Sequence, residues 1–465
     1  MAAERRRLAA GAAVVRVEVA RGLTIRFSEA GLDTLPHAGV PVPVTSIKIK
    51  QIPLLFLLSL CASATAWLYA HRILGPWTEA KDLHTDGLKA QMGDLYPRWV
   101  GTRELLIHRR NPYSPEVSHE ILGRIVTQED ASGRVVDEQR FVYPIYVVFL
   151  MAPTVYMDFS KVHLWAPFVL GAFVVVTVLC SVGVLGWRIP WTTGAALILF
   201  TVSSPQIVQG MLHQQLALVV ACLLTSGAWL VHKGHLGTAG ILLAFSTIKP
   251  QMALLPLVWF ILWAGGEWRS RWRLFVGFGV TLMLLIGAGE LLVAGWLWDF
   301  FAAMAAYRRY FPTSSLPRLI LGDRVGIAVS CIIVIWLFVF GWRNRKTSCD
   351  SREFAWVFAA FLMGTVLAFP LFTPFNQALL ILPAILVVCE WAAIPRLGRV
   401  MFIAFVSWPW ITSIVILLLR RPLTAASQFP LLPALGEIAV PLLLPVLLFM
   451  RKTTTGALVG AEQST

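Results

Sequence analysis

The residues most able to do chemistry crowd into Gly93–Tyr113, GDLYPRWVGTRELLIHRRNPY, which holds Asp94, Arg98, Arg103, Glu104, Arg109 and Arg110. An aspartate held at a water-facing mouth can act as a general base towards a hydroxyl. Neighbouring arginines offer planar forks that match phosphate oxygens. A second signal is Lys249, which interrupts an otherwise apolar run. A charge inside the bilayer costs roughly 2.5–3.5 kcal/mol on insertion scales, so its default reading is functional. The structural alternative is a lysine snorkelling to the interface beside Pro250.

These residues need a scaffold. Leu95, Trp99, Thr102 and Leu106 recur at helical spacing and form one moderately apolar stripe, with the charged residues off it. Asn111-Pro112 is expected to end this helix, because a residue preceding proline is pushed out of the α region. Such an amphipathic helix would lie along a membrane surface. Asp94 stands at its start, either as an N-cap, with Pro97 tolerated in the first turn, or as a base; the two roles are compatible.

The rest of the chain is membrane-like. Of 465 residues 57% are hydrophobic and 14% charged, against about 25% charged in soluble domains. Mean hydropathy is +0.71. Apolar runs long enough to cross about 30 Å of hydrocarbon recur from Ile52 to Met450, and they are solidly apolar instead of alternating, which excludes a β-barrel. The 19 Trp and 27 Phe suit interfacial anchoring. The net charge of +14 falls largely in loops between spans, where the positive-inside rule and anionic lipid account for it without nucleic acid. Six scattered cysteines, with no CxxC or Cys/His spacing, indicate neither a disulfide framework nor a zinc site, and no metal is expected.

Residues 1–50 are expected to be a cytoplasmic tail with little structure, or an over-extended start, and 453–465 a C-terminal tail. Between them, 51–452 reads as a single transmembrane domain. Its spans are expected near 52–74, 141–157, 163–187, 190–207, 213–232, 236–264, 272–297, 323–342, 354–372, 376–394, 400–419 and 432–450, about 12 in all. That number takes 236–264 as one helix kinked at Pro250; a turn over Ser246–Pro250 would instead make two half-spans. Arg269, Arg271 and Arg273, then Arg343, Arg345, Lys346 and Arg352, mark inner loops. Segments 75–140 and 299–322 then become the first and second outer loops.

Several stretches, in order, resemble a known family. GDLYPRWVGTRELLIHRRNPY, FVYPIYVVFLMAP, the Gln209–Val258 core and LAFPLFTPFNQALLILPA are similar to segments of the polyprenol-phosphate-dependent glycosyltransferases of family 87. The resemblance covers about residues 52–450 and implies a GT-C-type all-α polytopic membrane fold. It implies an enzyme moving a hexose, mannose first, from a polyprenyl-phosphate donor to a lipid or glycan acceptor on the outer face of the cytoplasmic membrane. No cofactor is implied beyond that donor substrate, and the partners are membrane lipid, donor and acceptor. By position, Asp94 matches the family's catalytic base. The chain departs from the family pattern at His213-Gln214-Gln215 and at Thr373-Pro374-Phe375-Asn376, which leaves the sugar and the acceptor open.

Such a transfer needs a base, cations for the departing phosphate and a greasy groove. Asp94 is the candidate base, with Asp82, Asp86 and Glu104 behind it. Lys249, Arg98 and Arg308 are the candidates for phosphate; Arg103, Arg309, Arg318 and Arg324 read more simply as headgroup or loop residues. Tyr113, Tyr143, His213, Gln214 and Asn376 are candidates for the sugar or acceptor, each with a plain alternative in belt, headgroup or turn chemistry. Glu290 is a further intramembrane carboxylate, expected to pair with an arginine. The competing readings are a transporter or flippase, for which no duplicated broken helices are seen, and a non-catalytic subunit of an envelope-glycan assembly.

Overall fold

The computed structural model describes residues 52–70, 72, 93–124, 140–310, 314–371, 373–419 and 440–447, all within the unit 47–465. The tails expected at 1–50 and 453–465, Asp82, Asp86 and the stretch 125–139 lie outside the described residues. Among those described the structure is all-helical, without strands. Among the described residues four helices are long and apolar enough to cross a membrane: Phe159–Val184, Trp268–Leu292, Asp323–Asn344 and Arg396–Val415. A fifth span forms if Trp191–Val202 and Pro205–Leu212, bent by 60° at Ser203-Ser204, are taken together.

The expected count of 12 is not confirmed among the described residues, which cover only 440–447 of the expected span 432–450. Hydropathy treated each apolar run as one rod, whereas several runs are cut into shorter helices that pack inside the bundle. In chain order the elements used below are α1 (Ile52–Tyr69), α2 (Tyr96–His108), α3 (Pro115–Arg124), α4 (Val147–Met151), α5 (Phe159–Val184), α6 (Trp191–Val202), α7 (Pro205–Leu212), α8 (Ala217–His232), α9 (Leu236–Phe245) and α10 (Pro250–Gly266). They continue with α11 (Trp268–Leu292), α12 (Trp296–Tyr310), α13 (Leu316–Leu321), α14 (Asp323–Asn344), α15 (Arg352–Ala368), α16 (Ile381–Cys389) and α17 (Arg396–Leu419). The expected second outer loop, 299–322, is therefore largely helix. The expected span at 141–157 contains only the short α4 and a 3-10 turn, Ala152–Thr154.

The stretch 236–264 is two helices, not one kinked rod. A continuous helix from Leu236 to Gly266 would hold its ends about 45 Å apart. Instead Gly237 lies against Arg273 and Gly277, in the first three turns of α11, the helix that follows α10. Leu243 shares a small apolar recess with Leu257, Phe260 and Leu274. The chain therefore reverses at the 3-10 turn Ser246–Ile248 and Lys249, whose φ −127°, ψ 80° lies outside the helical region. Small residues make the tight packing possible: a methyl on Gly277 would overlap the Gly237 carbonyl, and one on Gly240 the Leu274 carbonyl. In lipid, where tails are as apolar as leucine, such close backbone approach is a main source of helix association.

The arm α10 is locked to α15 by aromatic side chains. Trp259 and Trp263 lie 5.6 Å and 5.4 Å from the Phe354 ring, and Phe260 lies 5.3 Å from Phe358. At the far end of α10, buried Arg271 donates to the carbonyls of Trp263, Arg345 and Thr347 at 2.7, 2.9 and 2.9 Å. The basic residues 269–273 and 343–345 thus gather at one end of α10, and Lys249 stands at the other. Seventeen residues of helix, about 26 Å, separate them.

Candidate active site

Helix α2 forms where its spacing suggested, but its ends and setting differ. Its N-cap is Leu95, with no side-chain cap, and Pro97 occupies the first turn. Asp94 is therefore not the cap. The helix stops at His108, where Arg109 adopts a left-handed backbone at φ 59°, so Asn111-Pro112 is not the terminator. Nor is α2 laid on a surface with one side free: eight of its thirteen residues are buried, including Glu104. The reason is tertiary. Tyr96 and Trp99 pack on Phe159 of α5 at ring distances of 4.9 and 5.3 Å.

That packing fixes the turn before the helix. Gly93 has φ +54°, and the Asp94 N–H donates to the His213 carbonyl at 3.1 Å. The Asp94 carbonyl accepts from Arg98 Nη1. Half-buried Asp94 thus has its backbone fully engaged, while among the described residues its carboxylate receives no hydrogen bond. Arg98 lies one turn on, its guanidinium 4.6 Å from the centre of the Tyr143 ring. Its Nε is buried with no partner among the described residues.

Lys249 closes the cluster from the opposite side. It is 7% exposed, and its Nζ donates to Asn376 Oδ1 at 2.9 Å and lies 5.3 Å from the Phe375 ring centre. Asn376 Nδ2 donates to Thr373 Oγ1 at 2.6 Å, which fixes the amide with its oxygen towards the lysine. Lys249 is within electrostatic reach of both Arg98 and Asp94. No carboxylate among the described residues comes within ion-pair distance of Nζ. Tyr146 braces the same turn, its hydroxyl lying 2.8 Å from Thr247 Oγ1.

Asp94, Arg98, Tyr143, Lys249, Asn376 and the His213-Gln214 corner are thus brought together from five separate stretches. His213 contributes its carbonyl, while its side chain is exposed. Gln214 is buried and hydrogen-bonded to His163. Tyr113 stands behind Tyr143: its hydroxyl donates to the Tyr143 carbonyl at 2.5 Å and its ring meets Phe141 at 5.2 Å. Burial first, and then the Asp299 carboxylate, push the Tyr113 phenol well above its ordinary range. Arg308 is exposed near the end of α12, and no described contact links it to the cluster.

Other candidates have structural employment. Glu104 accepts from Arg110 at 2.8 Å and lies 3.1 Å from His108 Nδ1. Arg318 pairs with Asp323 at 2.6 Å. Glu290 accepts the Gly295 N–H at 2.7 Å, instead of pairing with an arginine. Reasoning from sequence missed His163, Phe375 and the Asn111–Asp299 link, which is 2.8 Å long. His163 carried only a weak signal, an imidazole at the edge of an apolar run, and the others carried none.

A positive pair, one uncommitted carboxylate and an amide corner together can bind a phosphate and take a proton from a neighbouring hydroxyl. No curated protein sequence matches the chain. The profile of glycosyltransferase family 87 matches residues 141–374, which include Tyr143, His213, Gln214, Lys249 and Arg308 but stop short of Asp94, Arg98 and Asn376. Since this match spans just over half of the sequence, the chain, an all-helical membrane protein, belongs to glycosyltransferase family 87.

Proposed function

We propose that the protein is a hexosyltransferase of GT-C type that moves a hexose, mannose first, from a polyprenyl-phosphate donor to a lipid or glycan acceptor. The observation that carries this reading is the buried Lys249 ammonium, whose described hydrogen bond is to a neutral amide, beside Arg98 and Asp94. With Lys249 protonated, two cations face one carboxylate, and a bound anion would balance the excess positive charge. A phosphate tethered to a prenyl chain is such an anion, and the apolar helices around it suit the chain.

In the proposed reaction Asp94 takes the proton of the acceptor hydroxyl. The acceptor oxygen forms its bond to the anomeric carbon as the bond from that carbon to the phosphate oxygen breaks. The electron pair leaves with the polyprenyl phosphate, whose added charge Lys249 and Arg98 stabilise. One displacement inverts the anomeric centre, so no second carboxylate is needed. Tyr143, Asn376, Gln214 and the His213 corner are assigned to contacts with the sugar or acceptor, Tyr113 supports Tyr143, and Arg308 offers charge to the donor headgroup from outside the cluster. The basic residues beyond the far end of α10 favour that end as cytoplasmic by the positive-inside rule, which directs Lys249 towards the outer face of the cytoplasmic membrane.

The test is donor choice. Purified protein is incubated with a membrane extract and either radiolabelled polyprenyl-phosphate hexoses or radiolabelled nucleotide sugars. Label entering product from a polyprenyl-phosphate donor supports the proposal; label entering only from nucleotide sugars rejects it.

A further inference from the structure

The corner opposite Lys249 carries an acceptor with nothing to accept. Gln214 is 1% exposed and adopts φ +54°, a left-handed backbone that residues with a side chain rarely occupy. Strained, buried polar residues are concentrated at functional sites. Its Nε2 lies 3.2 Å from the His163 carbonyl oxygen, which can only accept, so this end of the amide must be the donor. The same Nε2 lies 2.6 Å from His163 Nδ1. Nδ1 is therefore the acceptor, and the neutral imidazole carries its proton on Nε2. The other end of the amide, Oε1, is then fixed in direction, and it has no donor among the described residues.

Where Oε1 points matters. It is buried and lies 3.1 Å from the place a Cβ on Gly93 would occupy, so it sits directly against the Gly93–Asp94 turn, where any larger residue would crowd it. His163 is itself held in place: Phe159, one turn earlier on α5, lies 6.0 Å from the imidazole and packs on Tyr96 and Trp99 of α2. The helix that presents Asp94 thus also seats the histidine that orients Gln214.

We propose that His163 is a positioning residue, which holds Gln214 so that its Oε1 accepts a hydrogen bond from a sugar hydroxyl in the Asp94 site. This rests on the hexosyl-transfer reading above. The hydroxyl belongs either to the transferred hexose or to the acceptor, and kinetics separate the two. His163→Leu removes the Nδ1 acceptor, whereas His163→Asn places an amide oxygen close to the Nδ1 position.

The experiment measures kcat, KM for polyprenyl-phosphate mannose, dependence on acceptor-bearing extract and thermal stability in wild type and both variants. One ordering hydrogen bond corresponds to a change of roughly three- to ten-fold. A rise of that size in donor KM for His163→Leu, with kcat and stability unchanged and with His163→Asn near wild type, supports recognition of the transferred hexose. The same rise in dependence on extract supports recognition of the acceptor. Unchanged parameters in His163→Leu overturn the proposal alone, as does a joint loss of stability and kcat that His163→Asn does not restore. A wild type that transfers no hexose from any polyprenyl phosphate overturns the underlying reading, and this proposal with it.

Discussion

Lys249→Met separates a ligand-binding lysine from a structural one. In the folded protein Nζ makes one described hydrogen bond, 2.9 Å to Asn376 Oδ1, and no ion pair among the described residues. Removing the charge recovers roughly 2.5–3.5 kcal/mol of membrane insertion cost. Against this stand one charge-assisted hydrogen bond, about 1.5–3 kcal/mol, and an amide oxygen left without its donor, about 1–3 kcal/mol. The lost partner is neutral, so no uncompensated charge is left behind, unlike a broken buried ion pair. The losses total about 2.5–6 kcal/mol against that gain, so stability should fall by about 1 kcal/mol at the mid-values and by no more than about 3.5 kcal/mol. The departing phosphate, however, loses a cation aimed at it, worth roughly 10²–10³ in turnover by analogy with an oxyanion donor. Thermal unfolding followed by tryptophan fluorescence in detergent, set beside the initial rate of hexose transfer, reads both quantities. A stable variant with near wild-type turnover refutes the reasoning, as does a variant whose activity falls only because it no longer folds.

The neighbouring residues give complementary expectations. Asn376→Asp places a carboxylate against Nζ and should preserve the fold while raising KM for the donor about ten-fold or more, because the lysine gains a permanent counter-ion; steady-state kinetics check this. Gly93→Ala forces a side chain into φ +54° against Gln214 and should cost about 1–2 kcal/mol in unfolding experiments, together with activity. Glu104→Ala should lower stability by about 1–2 kcal/mol, discounted because Arg110 and His108 are half-exposed. Turnover per folded molecule should hold in that variant, since Glu104 is committed to its ion pairs; a large loss of kcat would place it in the chemistry.

The membrane character and the all-helical fold were legible because both are written into long local runs of apolar residues. Chain reversal was not. Both arms around Lys249 are apolar, and hydropathy carries no direction, so a turn over Ser246–Pro250 stood only as an alternative until the contact of Gly237 with Gly277 decided for it. Periodicity located α2 but not its surroundings, which depend on Phe159, more than fifty positions away from Tyr96 and Trp99. For the same reason the capping role given to Asp94 failed: the turn before α2 is set by its bond to His213. In the site, Lys249 stood out because its charge conflicts with its apolar setting, and Asp94 because it stands at the start of a helix in a charged stretch and matches the family's base by position. Gln214 and Asn376 were also named, but their partners were not legible, because the bonds to His163 and Lys249 exist only once the fold brings distant stretches together. His163 was overlooked because it stands at the polar edge of an apolar run, two residues after Lys161, where an imidazole is ordinary.

The account depends most on Asp94 as the group that receives the acceptor proton, and Asp94→Asn tests it most directly. The change keeps shape and hydrogen-bonding capacity and leaves the backbone links to His213 and Arg98 in place. With radiolabelled polyprenyl-phosphate mannose and a membrane extract, the account predicts labelled product from wild type and a loss of about 10²-fold or more in the equally stable variant. Turnover by Asp94→Asn at the wild-type rate would contradict it.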